Sequence, residues 1–338
     1  MTKTHSIDLI GVGSPIVDSL AKIDEAFLSG VDGEKGGMVL VDEGEMATLL
    51  KQVTCALEEA PGGAAGNTAF AVARLGLRTA FLGKVGNDAS AQLYSGRFAS
   101  VGGDGSRLIH GDMANGRCLS LITPDGARTM RTYLGAAATL RPDEITPAAF
   151  EGCRHAHIEG YLLFNDDLMQ AILDAASQAQ CTISLDLGSF EVVRACRGRL
   201  EGILREYVDI VLANEEEAAA LIGEDMGHTE MAEALGGYCP ISVLKVGAEG
   251  ALIHDEQKVL HRIAPVPASK VVDTTAAGDL WAAGFLHSWL KGRDLATCGH
   301  HGSFLAAEVV QLVGTILPID RWVEVVAELD AAPDPDAS

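Results

Sequence analysis

Seven residues near the C-terminus combine acidic, hydroxyl and small side chains in a spacing suited to phosphoryl transfer. They are Asp273-Thr274-Thr275-Ala276-Ala277-Gly278-Asp279. The run that begins at Leu280 is apolar on opposite helical faces, which predicts a buried helix. The first turn of a helix has free amide groups and the positive end of the dipole, and both favour an anion. Asp279 in that turn is placed to accept the proton of an alcohol that attacks a bound phosphate.

The same stretch also fits a purely structural interpretation. Aspartate and threonine are common N-caps, so Asp273, Thr275 or Asp279 would only cap a core helix. The preceding residues 270–272, Lys-Val-Val, are predicted to be extended. The stretch alone does not separate the two interpretations, and the rest of the chain must decide.

Composition excludes several classes of protein. The chain has 338 residues and a net charge of −22, which argues against nucleic acid or an anionic membrane as partner. An anionic substrate such as ATP would therefore need local donors and a divalent cation. The seven cysteines include no C-x-x-C pair, so neither a disulfide framework nor a zinc site is indicated. Without a signal pattern or an apolar run of about 20 residues, we expect a cytoplasmic protein.

The second half of the chain alternates short apolar runs with helical patterns, which predicts a mostly parallel sheet with helices on both faces. Ligands of such sheets bind at the carboxyl ends of the strands. The predicted strands are 156–159, 182–186, 210–212 and 241–246. Polar motifs follow three of them: Asp186-Leu187-Gly188, Asn214-Glu215-Glu216-Glu217 and Lys245-Val246-Gly247-Ala248-Glu249-Gly250.

The N-terminal half adds a second polar set. A strand over residues 7–13 leads to Asp18, which is predicted to reach over a cleft. The pattern G-x-G-x-x-G fails at Ile16, which weighs against a nicotinamide-dependent oxidoreductase. Gly62 and Gly63 precede a helix that is predicted to extend to about residue 75, and two glycines let a backbone approach a ligand closely. Asn67 is a poor helix former there, so we expect it to contact a substrate hydroxyl, although capping is the alternative.

A β-hairpin is predicted over residues 117–134, where the surrounding chain alternates strands with helices. With strands near 17–21 and 37–41, it is predicted to form a small sheet that covers the cleft. The expected division is a core of residues 1–14, 42–112 and 135–330, a β lid of residues 15–41 and 113–134, and a flexible tail of residues 331–338.

With these motifs in order, the sequence resembles the PfkB, or ribokinase-like, family of carbohydrate and nucleoside kinases over about residues 7 to 330. The hairpin sequence, from Arg117 to Arg131 with Tyr133 after it, looks most like that of the adenosine-kinase-like bacterial branch of the family. The resemblance implies an α/β fold: a three-layer α/β/α core with a mostly parallel central sheet and a small β-sheet lid. It also implies transfer of the ATP γ-phosphate to a hydroxymethyl group of adenosine or a ribose-like sugar.

The resemblance assigns roles to the matched residues. Asp279 would be the catalytic base, with its pKa lowered by the helix dipole. The anion hole would be formed by Ala276, Ala277 and Gly278. The acceptor would be contacted by Asp18, Gly62, Gly63 and Asn67, with Arg131 at the cleft mouth. ATP would be bound by Asn214, Lys245, Gly247, Gly250, Asp273 and Thr274. Glu217 and Asn214 would organise Mg²⁺ through water.

The acceptor stays open between a nucleoside and a sugar. A base could be sandwiched by Ile16, Phe27, Leu40 and Tyr133, whereas Asp18, Arg128 and Arg131 fit a sugar as well. A phosphorylated sugar is disfavoured, because only the two arginines would balance its charge. The resemblance also admits K⁺ as a further cation and a homodimer through the lid.

Ala276 is the one departure from the family pattern, which usually has glycine there. We expect Ala276 to have helical backbone angles, so that glycine at this position would cost stability by up to ~1 kcal/mol. If the phosphate instead needs a bare backbone, glycine would raise kcat. The alternative function, a catalytically weak metabolite sensor on the same fold, depends on this residue alone.

Overall fold

The computed structural model describes residues 5–125, 127–223, 225–314 and 317–331. Its strands in chain order are β1 (Ile7–Val12), β2 (Val17–Lys22), β3 (Met38–Leu40), β4 (Glu58–Pro61), β5 (Thr79–Val85), β6 (Leu108–His110), β7 (Arg117–Ile122), β8 (Arg128–Tyr133), β9 (Cys153–Glu159), β10 (Thr182–Asp186), β11 (Ile210–Asn214), β12 (Ile241–Lys245), β13 (Ala251–His254) and β14 (Leu260–Ile263).

The larger sheet has nine strands in the order β14-β13-β12-β11-β10-β9-β1-β5-β6. The strands from β6 to β12 along this order are parallel, and β13 and β14 are antiparallel additions at one end. The carboxyl ends of the parallel strands therefore meet at one edge, as expected for a ligand-binding sheet. The predicted α/β fold with a mostly parallel central sheet is confirmed.

Most of the α-helices cover the two faces of the larger sheet, and the first two along the chain pack on the small sheet. The helices are α1 (Glu25–Leu28), α2 (Glu43–Gln52), α3 (Ala64–Arg74), α4 (Ala89–Ser100), α5 (Asp166–Gln178), α6 (Phe190–Tyr207), α7 (Glu215–Ile222), α8 (His228–Leu235), α9 (Ala277–Leu290), α10 (Leu295–Val309) and α11 (Ile319–Ala331). The helices α5 to α8 pack on one face. On the other face, α3, α4 and α9 to α11 form a second apolar cluster. The result is the predicted three-layer core.

The remaining strands form a small sheet in the order β3-β8-β7-β2-β4. The hairpin of β7 and β8 is antiparallel, and β2 pairs with β7 in parallel. One face of this small sheet packs against α1 and α2 through residues such as Leu119 and Leu121. Gly126, in the hairpin turn, lies outside the described residues.

Two elements differ from the sequence prediction. Residues 58–61 form β4 on the edge of the small sheet, although the sequence suggested no strand there. Glu58-Glu59-Ala60-Pro61 has no β-branched or aromatic residue, and proline is tolerated only at such an edge. Residues 270–272 are not a strand, and Val271 is exposed to solvent. Of the predicted tail, residues 332–338 lie outside the described part of the chain.

Within the described ranges, no helix is both long enough and apolar enough to cross a bilayer. All seven cysteines are free thiols, and only Cys55 is exposed.

Candidate active site

Asp279 lies in the first turn of α9, beside the first turn of α3. The side-chain amide of Asn67 donates to its Oδ2 at 2.8 Å, and the Thr68 hydroxyl donates to its backbone carbonyl at 3.0 Å. Burial raises the pKa of Asp279 to about 7, although the hydrogen bond from Asn67 acts to lower it. The expected lowering by the helix dipole is therefore wrong, because desolvation outweighs it. A carboxyl with this pKa can accept a proton near neutral pH.

The backbone at the start of α9 has an unexpected conformation. Ala276 is the N-cap and has φ 59° and ψ 8°, in the left-handed region. The expectation of helical angles at this residue is therefore wrong. The Ala277 amide donates to the Thr274 carbonyl, whereas the amides of Gly278 and Asp279 have no acceptor in the described part of the chain. The amides available to an anion thus start at Gly278.

We predict that Ala276→Gly stabilises the protein by up to ~1 kcal/mol. A left-handed conformation costs an alanine roughly 1–2 kcal/mol, and the greater freedom of glycine in the unfolded chain offsets part of the gain. Urea unfolding measures the change. Ala171→Gly is the matched control, since Ala171 lies in the middle of α5 and glycine there should cost about 0.5–1 kcal/mol. A destabilised Ala276→Gly variant would contradict the strain argument.

Acidic side chains converge beside Asp279 at the carboxyl edge of the larger sheet. Lys245 Nζ lies 2.9 Å from Asp186 Oδ2, and both side chains are almost buried. Glu159 and Glu217 are each repelled by Asp186, and burial raises the pKa of each of them to about 7. The ammonium group of Lys245 acts on Asp186, Glu217 and Asp279, and it also lies against Gly278. The cluster therefore has an excess of negative charge that a divalent cation would balance.

Asn214 and Glu217 form a capping box at the start of α7. The Asn214 amide side chain donates to Glu217 Oε1 at 2.8 Å, and Glu217 Oε2 accepts from the Asn214 backbone. Among the described residues, no three His, Cys, Asp or Glu side chains are grouped to hold a metal ion. Glu217 is buried, and burial followed by repulsion from Asp186 raises its pKa. These residues fit Mg²⁺ bound through water and phosphate better than through direct ligation.

Asp18 lies in β2 of the small sheet, beside Gly62 and near Arg128. Its side chain is buried, and burial raises its pKa to about 6, partly countered by the Arg128 charge. Its carboxylate receives no hydrogen bond from any described residue, so it is free to accept from a ligand hydroxyl. A Cβ on Gly62 would lie 2.5 Å from the Asp18 carboxyl carbon, and one on Gly63 would lie 2.2 Å from the Ser14 carbonyl. Both glycines are therefore required for close packing.

The two arginines of β8 lie on opposite faces of the small sheet. Arg128 reaches the core, where its guanidinium pairs with Asp273 at 2.5 Å. Arg131 is buried on the other face and donates to the backbone carbonyls of Met130 and Asp32. The structure thus brings Arg128 close to Asp273 and Asp18 and places Arg131 on the opposite face of the small sheet.

Asp273 is held by several donors at once. Its carboxylate accepts from the Gly314 and Thr275 amides as well as from Arg128. Burial raises the pKa of Asp273, but these hydrogen bonds outweigh burial and leave the pKa lowered. Asp273 therefore links the small sheet to the loop before α9.

The residues predicted for the nucleotide lie at the same edge of the sheet. Gly247 and Gly250 follow β12, and both have positive φ angles, 51° and 98°. Gly250 also packs against the Ile263 carbonyl, where a Cβ would come within 2.1 Å. Thr274 is exposed beside the first turn of α9.

No role was assigned from the sequence to two acidic residues of the cluster, although Asp186 was placed in a polar motif at the ligand edge of the sheet. Glu159 ends β9 and accepts from the backbone amides of Ser14 and Ala65. Asp186 ends β10 and accepts from the Gly188 amide at 3.0 Å. A carboxylate that ends a buried apolar strand was the available signal, because such a strand end points into the ligand edge of the sheet.

Comparison with known proteins gives the relatives of this chain. Residues 47–322 match the family described as pfkB family carbohydrate kinase. An uncharacterized sugar kinase of Archaeoglobus fulgidus is 30% identical over 75% of this chain and 99% of its own length. The solved adenosine kinase of Sinorhizobium meliloti is 30% identical, with a TM-score of 0.84 over 95% of this chain and 99% of that one. A probable sugar kinase of Rhizobium etli has the same identity and TM-score over 96% and 99%.

Proposed function

This chain belongs to the pfkB family of carbohydrate kinases. We propose that it phosphorylates the hydroxymethyl group of a nucleoside, with Asp279 as the catalytic base. It is an ATP-dependent kinase of the sugar and nucleoside class, a phosphotransferase with an alcohol acceptor. The hydrogen bond from Asn67 to Asp279, beside free amides and Lys245, carries the assignment of the site.

In the proposed phosphoryl transfer, Asp279 acts as the base. The acceptor hydroxyl oxygen bonds to the γ-phosphorus, the bond from that phosphorus to the β–γ bridging oxygen breaks, and ADP leaves. The hydroxyl proton passes to the Asp279 carboxylate. The Gly278 and Asp279 amides, with Lys245 beside them, stabilise negative charge on the transferred group. This proposal moves the anion hole of the sequence analysis, Ala276 to Gly278, by about one residue.

Glu217 and Asn214 are the residues we propose to hold Mg²⁺ through water. When bound, Mg²⁺ supplies charge neutralisation for the phosphates. Lys245, Gly247, Gly250 and Thr274 are proposed to line the nucleotide site at the same sheet edge. Turnover of Mg-ATP and acceptor, measured with and without KCl, tests the K⁺ dependence that the family resemblance implies.

Asp18, Gly62, Gly63 and Asn67 are proposed to contact the acceptor hydroxyls. Asp18 supports this because its carboxylate is buried without a donor among the described residues. A nucleoside is favoured over a free sugar by an exposed aromatic ring near the acidic cluster. Tyr161 lies two residues after Glu159, which ends β9, and it is 40% exposed. Its ring is thus available to a base near the reacting groups.

The decisive experiment is turnover of Mg-ATP with a panel of adenosine, other nucleosides, ribose and fructose. We expect adenosine to give the highest kcat/KM. Preference for a free sugar would overturn the nucleoside assignment and leave the kinase class intact. Turnover with no member of the panel would favour the metabolite-sensor alternative. Tyr161→Ala should lower kcat/KM for nucleosides more than for ribose.

Hydrogen exchange tests the proposal that residues 15–41 and 113–134 form a lid. We expect exchange in β2, β3, β7 and β8 to slow when saturating acceptor is added, because a closed lid excludes water and prevents ATP hydrolysis. Exchange in α6, on the far face of the larger sheet, serves as the internal control. Equal exchange with and without acceptor would count against a lid.

A homodimer through the small sheet is also proposed. Met38, Val39 and Leu40 of the edge strand β3 are all exposed, and an unpaired apolar edge is a surface that pairs readily. Sedimentation tests this proposal: we expect a dimer for the wild type and a monomer for Val39→Lys. A monomeric wild type would contradict this part of the proposal.

We propose a cytoplasmic location, consistent with seven free thiols.

A further inference from the structure

A cleft with a volume of about 60 Å³ is lined in part by Asn67, the residue that donates to Asp279. It opens between α3, α4, α9 and α11, and we call it the rear cleft. Its polar lining is Asn67, Arg74, Arg97 and Ser100. Phe70 and Trp322 are among its apolar lining. Asn67 thus borders both the rear cleft and the catalytic carboxylate.

The two arginines of the rear cleft form an unneutralised pair. Within the described ranges, neither the Arg74 nor the Arg97 guanidinium has a hydrogen-bond or ion-pair partner. Burial, followed by repulsion from Arg97, lowers the pKa of Arg74, and no carboxylate contributes to that shift. Placing two like charges together without a counter-charge is unfavourable. It is also unexpected in a chain of net charge −22, where carboxylates are abundant.

The lining has the chemistry of an oxyanion site. Guanidinium groups present paired N–H donors that match the oxygens of a phosphate, and such charge-assisted hydrogen bonds are the strong ones. The Ser100 hydroxyl already donates to the Arg97 carbonyl at 2.7 Å, so the two guanidinium groups are the donors that the rear cleft offers to a phosphate. Phe70 and Trp322 offer apolar contact to an organic group attached to the phosphate. The volume suits a group of phosphate size better than a whole nucleotide.

We propose that the rear cleft binds a phosphate group, as inorganic phosphate or as the phosphate of a monoester. A bound phosphate would neutralise Arg74 and Arg97 and lie next to the residue that holds Asp279. This site is distinct from the anion hole at the start of α9, because Gly278 and Asp279 are not among the residues that line the rear cleft.

Calorimetric titration of inorganic phosphate into the full chain tests the proposal. The protein is first saturated with Mg²⁺ and a non-hydrolysable ATP analogue, so that the catalytic anion hole is occupied. Arg97→Gln is the main variant, because Arg97 is exposed and its replacement should leave the fold intact. Arg141→Gln removes the same charge from an exposed site elsewhere and is the matched control. Phenyl phosphate serves as the monoester probe.

We expect saturable phosphate binding that Arg97→Gln weakens by about 10- to 100-fold and Arg141→Gln leaves unchanged. Arg74→Gln should weaken binding similarly. Tighter binding of phenyl phosphate would identify a monoester as the ligand, and equal or weaker binding would identify inorganic phosphate. The proposal is overturned if nucleotide-saturated wild type binds neither probe, or if both arginine variants bind as wild type does.

Discussion

Asp279→Asn is expected to lower kcat by about 10²–10⁴-fold while leaving the KM for ATP and acceptor nearly unchanged. Asparagine has the same shape and retains an oxygen that accepts from the Asn67 amide, so the fold and the contact should persist. It cannot accept the hydroxyl proton. Steady-state kinetics on the purified variant, corrected for the folded fraction, measure the effect.

Asp294→Asn is the matched control for this variant. Asp294 is also an aspartate at a helix start, where it caps α10 by accepting from the Thr297 amide at 2.8 Å. Its replacement should cost some stability and leave kcat unaltered. A normal kcat in Asp279→Asn would remove Asp279 from the role of base and leave it a structural residue.

The pH dependence of the wild type follows from the pKa of Asp279. Burial raises this pKa to about 7, so below that pH the carboxyl is protonated and cannot act as a base. We expect kcat/KM to fall about tenfold per unit below pH ~7 and to level off above it. The residual activity of Asp279→Asn should lack this acid limb. An acid limb of unchanged position in the variant would assign it to another group, such as Glu159 or Glu217.

Lys245→Met is expected to destabilise the protein by roughly 3–5 kcal/mol, because it leaves the Asp186 charge buried without its partner. In the wild type, burial acts to raise the pKa of Asp186, but the Lys245 ammonium outweighs it and the pKa is lowered. That stabilisation is present above the ordinary pKa of an aspartate and is lost as pH falls through the lowered value. Urea unfolding at pH 8 measures the loss.

The double variant Asp186→Asn/Lys245→Met is the control, since it removes both charges. It should recover part of the stability lost in Lys245→Met. The single variant should also approach the wild type as pH falls. Without Lys245, burial alone acts on Asp186, and protonation then relieves the penalty. A single variant as stable as wild type at pH 8 would mean that water already solvates this pair.

Periodicity and turn residues predicted much of the fold. The sequence placed the β7–β8 hairpin and five strands of the core close to where they lie, namely β1, β9, β10, β11 and β12. It did not predict β6, β13 or β14 of the same sheet. Local patterns carry such elements, because the side-chain period follows the backbone. The edge strand β4 was missed since its residues have no strand preference, and its partner β2 is distant in the chain.

The site was less accessible to prediction. That Asn67 meets Asp279 across 212 residues depends on tertiary packing. The pKa of Asp279 was expected to fall because the helix dipole was given more weight than the burial that the apolar run also predicted. Strand alternation offered one missed clue: Arg128 and Arg131 are three residues apart, so they must lie on opposite faces of β8.

The parallel pairing of β2 with β7 has a consequence for the order of folding. Their register joins Val17 to Arg117 and Lys22 to Ile122, so 100 residues of chain separate each pair. Closing such a loop early is entropically unfavourable, and the intervening chain includes β5 and β6 of the larger sheet. The strands β9 to β12 of the larger sheet join residues only 26 to 31 apart, so they should form before the small sheet. Excised segments of the small sheet would then remain unfolded in isolation, and refolding should show the small sheet as its last phase.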